Sequence, residues 1–392
     1  MFLYYKRFCN EKYLISFVQM ESTLEMKILQ NSTKMIKKNN FGKLSIIAGI
    51  LSLAIGISQA NESTKSPTDE PAPPKWPAEA KTVWYHSPVD NTFQPAVYYA
   101  PETGKPIPLL VGLHTWSADY KQANTYFING AKNKEWAMIC PNFRGANTIP
   151  EACGSDMAVA DIVSAVEYMK RRVNIDPNRI YLMGMSGGGY ASMLMAGRHP
   201  EIWAGVCSWV GISDLAAWHA ETKSQGLNYS KHLEAVCGGA PGDSSEVDKQ
   251  YRHRSAKTWL AQASGVPLCI NHGIHDGHHK SSVPVSQSIN AYNILAEENK
   301  RLSAAQIQYI CQEEIIPPEL QSETETDPLY GKQVVLFRRS SKNVRITIFE
   351  GGHGGATEAG IEWLSKQYKN KAADWSVSDS SIQGSGEIKA GK

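Results

Sequence analysis

The stretch that most restricts this chain is Arg179–Tyr190, "RIYLMGMSGGGY", where an apolar run of strand type ends at one serine set among four glycines. Glycine in regular structure costs roughly 0.5–1 kcal/mol relative to alanine, so the cluster implies a backbone that other residues cannot follow. A strand, a strained turn and then a helix satisfy that demand. Gly184-Met185-Ser186-Gly187-Gly188 fits G-x-S-x-G, in which the residues two before and two after the serine must lack obstructing side chains. The following helix starts beside the hydroxyl and aims its positive end at any anion formed there. The alternative, a glycine-rich turn that only joins strand to helix, does not explain why the serine stands where the strain is.

Strand-like and helix-like patterns alternate around this point. Candidate strands are Thr82–His86, Ala96–Ala100, Pro108–His114, Trp136–Cys140, Ile180–Met183, Trp203–Trp209, Pro267–Asn271 and Val344–Phe349. The continuous apolar run "PLLVGLH" marks a strand buried on both faces. After Ser155, a candidate N-cap, Val159, Ile162, Val163, Val166, Met169 and Val173 line one helical face. The expectation is an α/β fold, a mostly parallel eight-stranded sheet with helices on both faces. Sites in such sheets gather at the carboxyl ends of the strands.

A serine hydroxyl needs a base, and the base an orienting acid. In this architecture they follow in the order serine, acid, histidine. "PLCINHGIHDGHH" places Asp276 past one strand, and "ITIFEGGHGG" places His353 past the last. These three are the expected catalytic residues. Asp214, after the strand ending at Trp209, is the competing acid. His272, His275, His278 and His279 have neither the spacing nor the cysteine partners of a zinc site, so they read as loop histidines, with no metal and no cofactor expected. The oxyanion hole requires two backbone N–H groups, one from Gly187 and one from Thr115 or Trp116 in "GLHTW", where a histidine–glycine pair is usual and Thr115 replaces the glycine. Trp116, Tyr190, Trp209 and Trp218 are candidates to stack on sugar or acyl groups, against the alternative that they pack the cap. Arg254 is a candidate for a substrate carboxylate or a structural ion pair.

Composition narrows the partners. The formal net charge of +2 hides an N-terminal excess: residues 1–60 carry eight Lys/Arg against three Asp/Glu, leaving 32 basic and 35 acidic residues beyond. No basic stripe remains, so nucleic acid is not an expected partner. Lys37, Lys38 and Lys43 precede the apolar run 44–57 and then Ser58-Gln59-Ala60, the layout of a signal peptide cleaved near Ala60. The run is short for a membrane span, although an uncleaved anchor is the alternative. A true start at Met35 or Met26 would account for residues 1–34. The reading is therefore an exported protein, secreted or periplasmic, with no stable membrane partner. Residues 61–80 read as a Pro-rich linker, 81–370 as the folded domain and 371–392 as a flexible tail. Cys153 and Cys237 fall in polar loops where a disulfide is sterically open.

"DPNRIYLMGMSGGGY", "HGIHDGHHKSSVPV" and "FEGGHGG" together resemble the catalytic α/β-hydrolase domain of the prolyl oligopeptidase-like family. They also resemble related single-domain esterases of acetylxylan and feruloyl type. The resemblance spans Lys81–Asn370 and implies Ser186, Asp276 and His353 as the triad. It departs from the peptidases in leaving no room for a β-propeller ahead of the domain, and in inserting Lys300–Lys332 between acid and histidine. Asp214–Trp259 is the other expected cap. An ungated site suits a bulky substrate, so ester groups on plant or algal polysaccharide are the expected target. The alternatives are a serine peptidase acting on short peptides and a non-catalytic carbohydrate-binding protein on the same scaffold.

Overall fold

The computed structural model describes residues 69–278 and 281–377. The expected leader and its cleavage point near Ala60, His279, and the tail beyond residue 377 lie outside the described residues. The strands are β1 Glu70–Pro71, β2 Lys81–His86, β3 Phe93–Tyr99, β4 Ile107–Leu113, β5 Ala137–Pro141, β6 Ile175–Met185, β7 Gly205–Trp209, β8 Leu268–Gly273, β9 Val335–Ser341 and β10 Val344–Phe349. They form one sheet in the order β1-β2-β3-β5-β4-β6-β7-β8-β10-β9. The five strands β4, β6, β7, β8 and β10 run parallel, with β5 parallel to β4. Antiparallel pairing is confined to the two ends of the sheet. The sheet has ten strands where the sequence pattern indicates eight; the additional ones are β1 and β9.

Strand periodicity divides the core in two. Leu109, Val111, Ile180, Leu182, Leu268 and Ile270 point to one face, and Leu110, Tyr181, Met183 and Cys269 to the other. That is the period-2 alternation of a sheet covered on both sides. The helices are α1 Thr125–Asn133, α2 Asp156–Arg172, α3 Gly187–Arg198, α4 Leu215–Ser224, α5 Tyr229–Cys237, α6 Ser245–Arg254, α7 Val285–Leu295, α8 Ala304–Glu313 and α9 Thr357–Ser365. α2, α3 and α7 cover the first face, α1 and α9 the second. Ser155 caps α2 as expected, its hydroxyl accepting from the Ala158 N–H at 3.0 Å, an interaction worth about 1 kcal/mol.

The segment 214–259 folds into α4, α5 and α6, and the segment 300–332 into α8 and short 3₁₀ turns. Both are helical caps. Among the described residues no helix is long and apolar enough to cross a membrane.

Two boundaries differ from the sequence reading. Residues 69–80 are not a free linker: Glu70 and Pro71 pair with β2, and Trp76 and Ala80 are buried. Residues 371–377 also pack. Trp375 stacks on Trp363 at 5.3 Å and covers the Arg345 guanidinium at 4.7 Å. Isolated tryptophans in polar stretches carry no periodicity, yet each buries enough surface to pin a terminus.

Candidate active site

Parallel register builds the site. β4 and β6 pair Leu113 with Gly184, so the loop leaving β4 lies beside the turn leaving β6. β8 and β10 pair Gly273 with Phe349. Asp276, three residues past that line, and His353, four past it, meet although 77 positions separate them.

Ser186 follows β6 at φ 59, ψ −119 and caps α3. A non-glycine residue at positive φ is uncommon and stores strain where the surroundings fix it. Those surroundings are tight. A Cβ on Gly184 would lie 2.3 Å from the Gly188 carbonyl oxygen. The Ser186 N–H donates to the Trp209 carbonyl at 2.9 Å, holding the turn against β7. Among the described residues the Ser186 hydroxyl makes no hydrogen bond.

A Cβ on Gly187 would meet the Trp116 nitrogen at 2.4 Å and the Trp116 Cα at 2.5 Å. The first amide of α3 and the Trp116 amide are therefore neighbours across a gap only glycine leaves open. Thr115 does not serve as the second donor. Its N–H donates to Gln122 Oε1 at 3.0 Å, and Gln122 Nε2 donates back to Thr115 Oγ1 at 3.0 Å. This side-chain clamp uses the Thr115 amide and leaves the Trp116 amide, close to Gly187, as the remaining candidate donor.

Asp276 is fully buried. Its Oδ1 accepts from the Gly277 N–H at 2.9 Å, the Ser281 hydroxyl at 2.5 Å and the Val283 N–H at 3.2 Å. Its Oδ2 faces His353 Nδ1 at 2.6 Å. Burial alone would raise the carboxyl's pKa, but hydrogen bonds from His272 and His353, and the positive charge those rings can carry, hold it well below the ordinary carboxylate range. An ionised Asp276 fixes the proton of His353 on Nδ1 and turns the lone pair of Nε2 outward. The His353 side chain is 28% exposed.

Several expected roles change. Asp214 is not the orienting acid: it caps α4, accepting from the Ala216 and Ala217 amides, and pairs with Lys257. Trp116, Tyr190, Trp209 and Trp218 are at most 2% exposed. They are packing residues, not a platform for sugar rings. Trp218 meets Trp116 edge-on at 4.6 Å and donates to the Ser282 carbonyl at 2.6 Å, docking α4 over the oxyanion loop. Tyr190 donates to the Arg254 carbonyl at 2.8 Å. Arg254 is itself buried and donates to the carbonyls of Ala152 and Cys153 and to Gln250. It ties α6 to the loop before α2 through Nε and Nη1. Cys153 and Cys237 are both buried free thiols.

Residues 151–309 match the model of the prolyl oligopeptidase family, a span that holds Ser186 and Asp276. The chain is similar to that family over this span, about two fifths of its length. It is 26% identical over 149 residues to dipeptidyl-peptidase 5 of Porphyromonas endodontalis, covering 36% of this chain and 21% of that protein. It is 26% identical over 160 residues to prolyl endopeptidase of Dictyostelium discoideum, covering 37% and 21%. The match thus spans about a fifth of the length of these two relatives. The acylaminoacyl peptidase of Pyrococcus horikoshii aligns in structure over 74% of this chain and 41% of its own, with a TM-score of 0.51 and 16% identity. That likeness shows the shared α/β-hydrolase fold.

Three residues of the domain escaped the sequence reading. Gln122 clamps Thr115 from seven positions away, and a lone glutamine in a loop gives no signal. His272, one residue before the end of β8, is buried beside Asp276; its place in an apolar strand separates it from the partly exposed His275 and His278 that follow. Arg144 is half-buried at φ 75 and reaches Asp161 at 2.6 Å and Ser87 at 2.9 Å.

Proposed function

We propose that the domain hydrolyses amide bonds in short peptides or acylated amino acids, with Ser186 as nucleophile. His353 Nε2 takes the hydroxyl proton as Ser186 Oγ bonds to the carbonyl carbon. The oxyanion lies between the N–H groups of Gly187 and Trp116. As the tetrahedral intermediate collapses, His353 returns the proton to the leaving amine. Water then adds by the same route to the acyl-enzyme, with His353 again as base, and releases the acid and free Ser186. Asp276 stays ionised throughout and holds the imidazolium. Removing one oxyanion donor of this kind costs about 10²–10³ in kcat.

The observations that carry this reading are the Asp276–His353 contact at 2.6 Å and the serine held in a strained turn directly after β6. The substrate class rests on the peptidase names of the family and of both curated relatives. An ester-bearing polysaccharide loses its main support once the aromatic residues meant to stack on sugar are buried. Kinetics with aminoacyl and acylaminoacyl p-nitroanilides, set against p-nitrophenyl acetate and acetylated xylan, test the choice. Turnover of an anilide abolished in Ser186→Ala is expected. Release of acetate from xylan with no anilide cleaved would overturn it.

A further inference from the structure

Asp276 Oδ2 has two imidazoles on it. Besides His353 at 2.6 Å, His272 Nε2 lies 3.3 Å away. His272 is fully buried, one residue before the end of β8, and nothing in the acyl-transfer steps uses it. Its Nε2 also faces the Val283 carbonyl at 2.9 Å, and its Nδ1 faces the Ser288 hydroxyl at 2.6 Å. A carbonyl oxygen can only accept, so Nε2 carries a proton. In the neutral ring Ser288 then donates to Nδ1, which fixes the tautomer. The Nε2–H faces the Val283 carbonyl, and the carboxylate oxygen that orients His353 lies 3.3 Å from the same nitrogen.

We propose that His272 is a positioning residue of the triad, clamping Asp276 and the Val283 turn through one shared N–H, with Ser288 setting its tautomer. The clamp has two consequences. It holds Oδ2 against rotation, so that the carboxylate meets His353 Nδ1 in line. It also draws electron density from Oδ2, making Asp276 a weaker acceptor toward His353 than a carboxylate without that donor. The charged groups that face the arrangement are Asp276 and His353 themselves and Glu221 of α4, whose carboxylate accepts from Gln287 of α7 at 2.9 Å.

The inference rests on Ser186, Asp276 and His353 acting as the triad, and the test separates the two. His272→Gln keeps an N–H near the position of Nε2; His272→Phe keeps the ring and removes the donor. Each is assayed for kcat, KM, the pH profile of kcat/KM and labelling of Ser186 by a fluorophosphonate. The expectation for His272→Phe is a fall in kcat of about tenfold or more at unchanged KM. Its acid limb moves to higher pH, because a more basic Asp276 stabilises the His353 imidazolium. His272→Gln is expected to recover most of kcat and return the limb toward the wild type. Ser288→Ala, a smaller change that spares the strand, is expected to shift the limb the same way and keeps the proposal testable should His272→Phe fail to fold. An acid limb unmoved in both His272→Phe and Ser288→Ala, while Ser186 still labels, would overturn the role of His272 alone. Absence of labelling in the folded wild-type protein would instead overturn the triad.

Discussion

Substituting Gly187 by alanine attacks the oxyanion hole without touching the triad. The new Cβ would sit 2.4 Å from the Trp116 nitrogen, 2.5 Å from its Cα and 3.0 Å from the Thr115 carbonyl carbon. Ordinary van der Waals contact begins near 3.4 Å, so the Trp116 backbone must retreat by about 1 Å. All three atoms are backbone, and the loop is held by the Gln122 clamp on one side and the Trp116–Trp218 contact on the other. No side-chain rotation relieves the overlap. A donor at about 2.9 Å from the oxyanion would move to about 3.9 Å, beyond hydrogen-bond range. The expected loss is that of one oxyanion donor, about 3–4 kcal/mol or 10²–10³ in kcat. KM should change little, because the donor acts on charge present only in the transition state. The assay is steady-state turnover of an aminoacyl p-nitroanilide, with thermal unfolding as a control for the fold. A Gly187→Ala protein that unfolds like the wild type and keeps kcat within threefold would refute this placement of the hole.

Other perturbations follow from the same structure. Asp276→Asn should lower kcat by about 10⁴-fold through the wrong His353 tautomer, whereas Asp214→Asn should leave turnover within a few fold; steady-state kinetics on both distinguishes them. Arg144→Ala leaves the fully buried Asp161 without its guanidinium and should cost about 3 kcal/mol in urea unfolding, part of it recovered in the double variant with Asp161→Asn. His275 bridges Glu314, at the end of α8, and Glu350, before the His353 loop, at 2.7 Å each. Burial opposes its protonation, but the two carboxylates raise its pKa above the ordinary value. Its contribution to stability is therefore complete below the unfolded value near 6.5 and is lost as pH rises through the folded one. Melting temperatures measured between about pH 6 and 9 should fall less steeply in His275→Gln than in the wild type.

The parts of this molecule legible in the sequence are those written in local pattern. Glycines around Ser186 declare a strained turn, and continuous apolar runs declare buried parallel strands. Asp276 and His353 follow because the ends of parallel neighbours lie together. What stayed hidden depends on partners distant in sequence. β9 reads as polar because Arg338 and Arg339 interrupt it, yet Arg338 pairs with Glu325 and Asp327 and Arg339 with Glu323, all supplied by the inserted segment. The choice between the Thr115 and Trp116 amides rests on where one glutamine side chain lands. The tryptophans near the site announce burial and recognition equally, since a large ring stabilises a core and a ligand contact by the same removal of apolar surface from water. Only the cap helices decide between those uses.

The central claim is that one strained, glycine-flanked serine is made reactive by an imidazole arriving from the end of β10. Peptide mapping by mass spectrometry after reaction with a fluorophosphonate tests it most directly. The account predicts a single phosphonyl adduct on the peptide holding Ser186, lost in Ser186→Ala and strongly slowed in His353→Ala. An adduct on another residue, or equal labelling rates with and without the His353 imidazole, would contradict it.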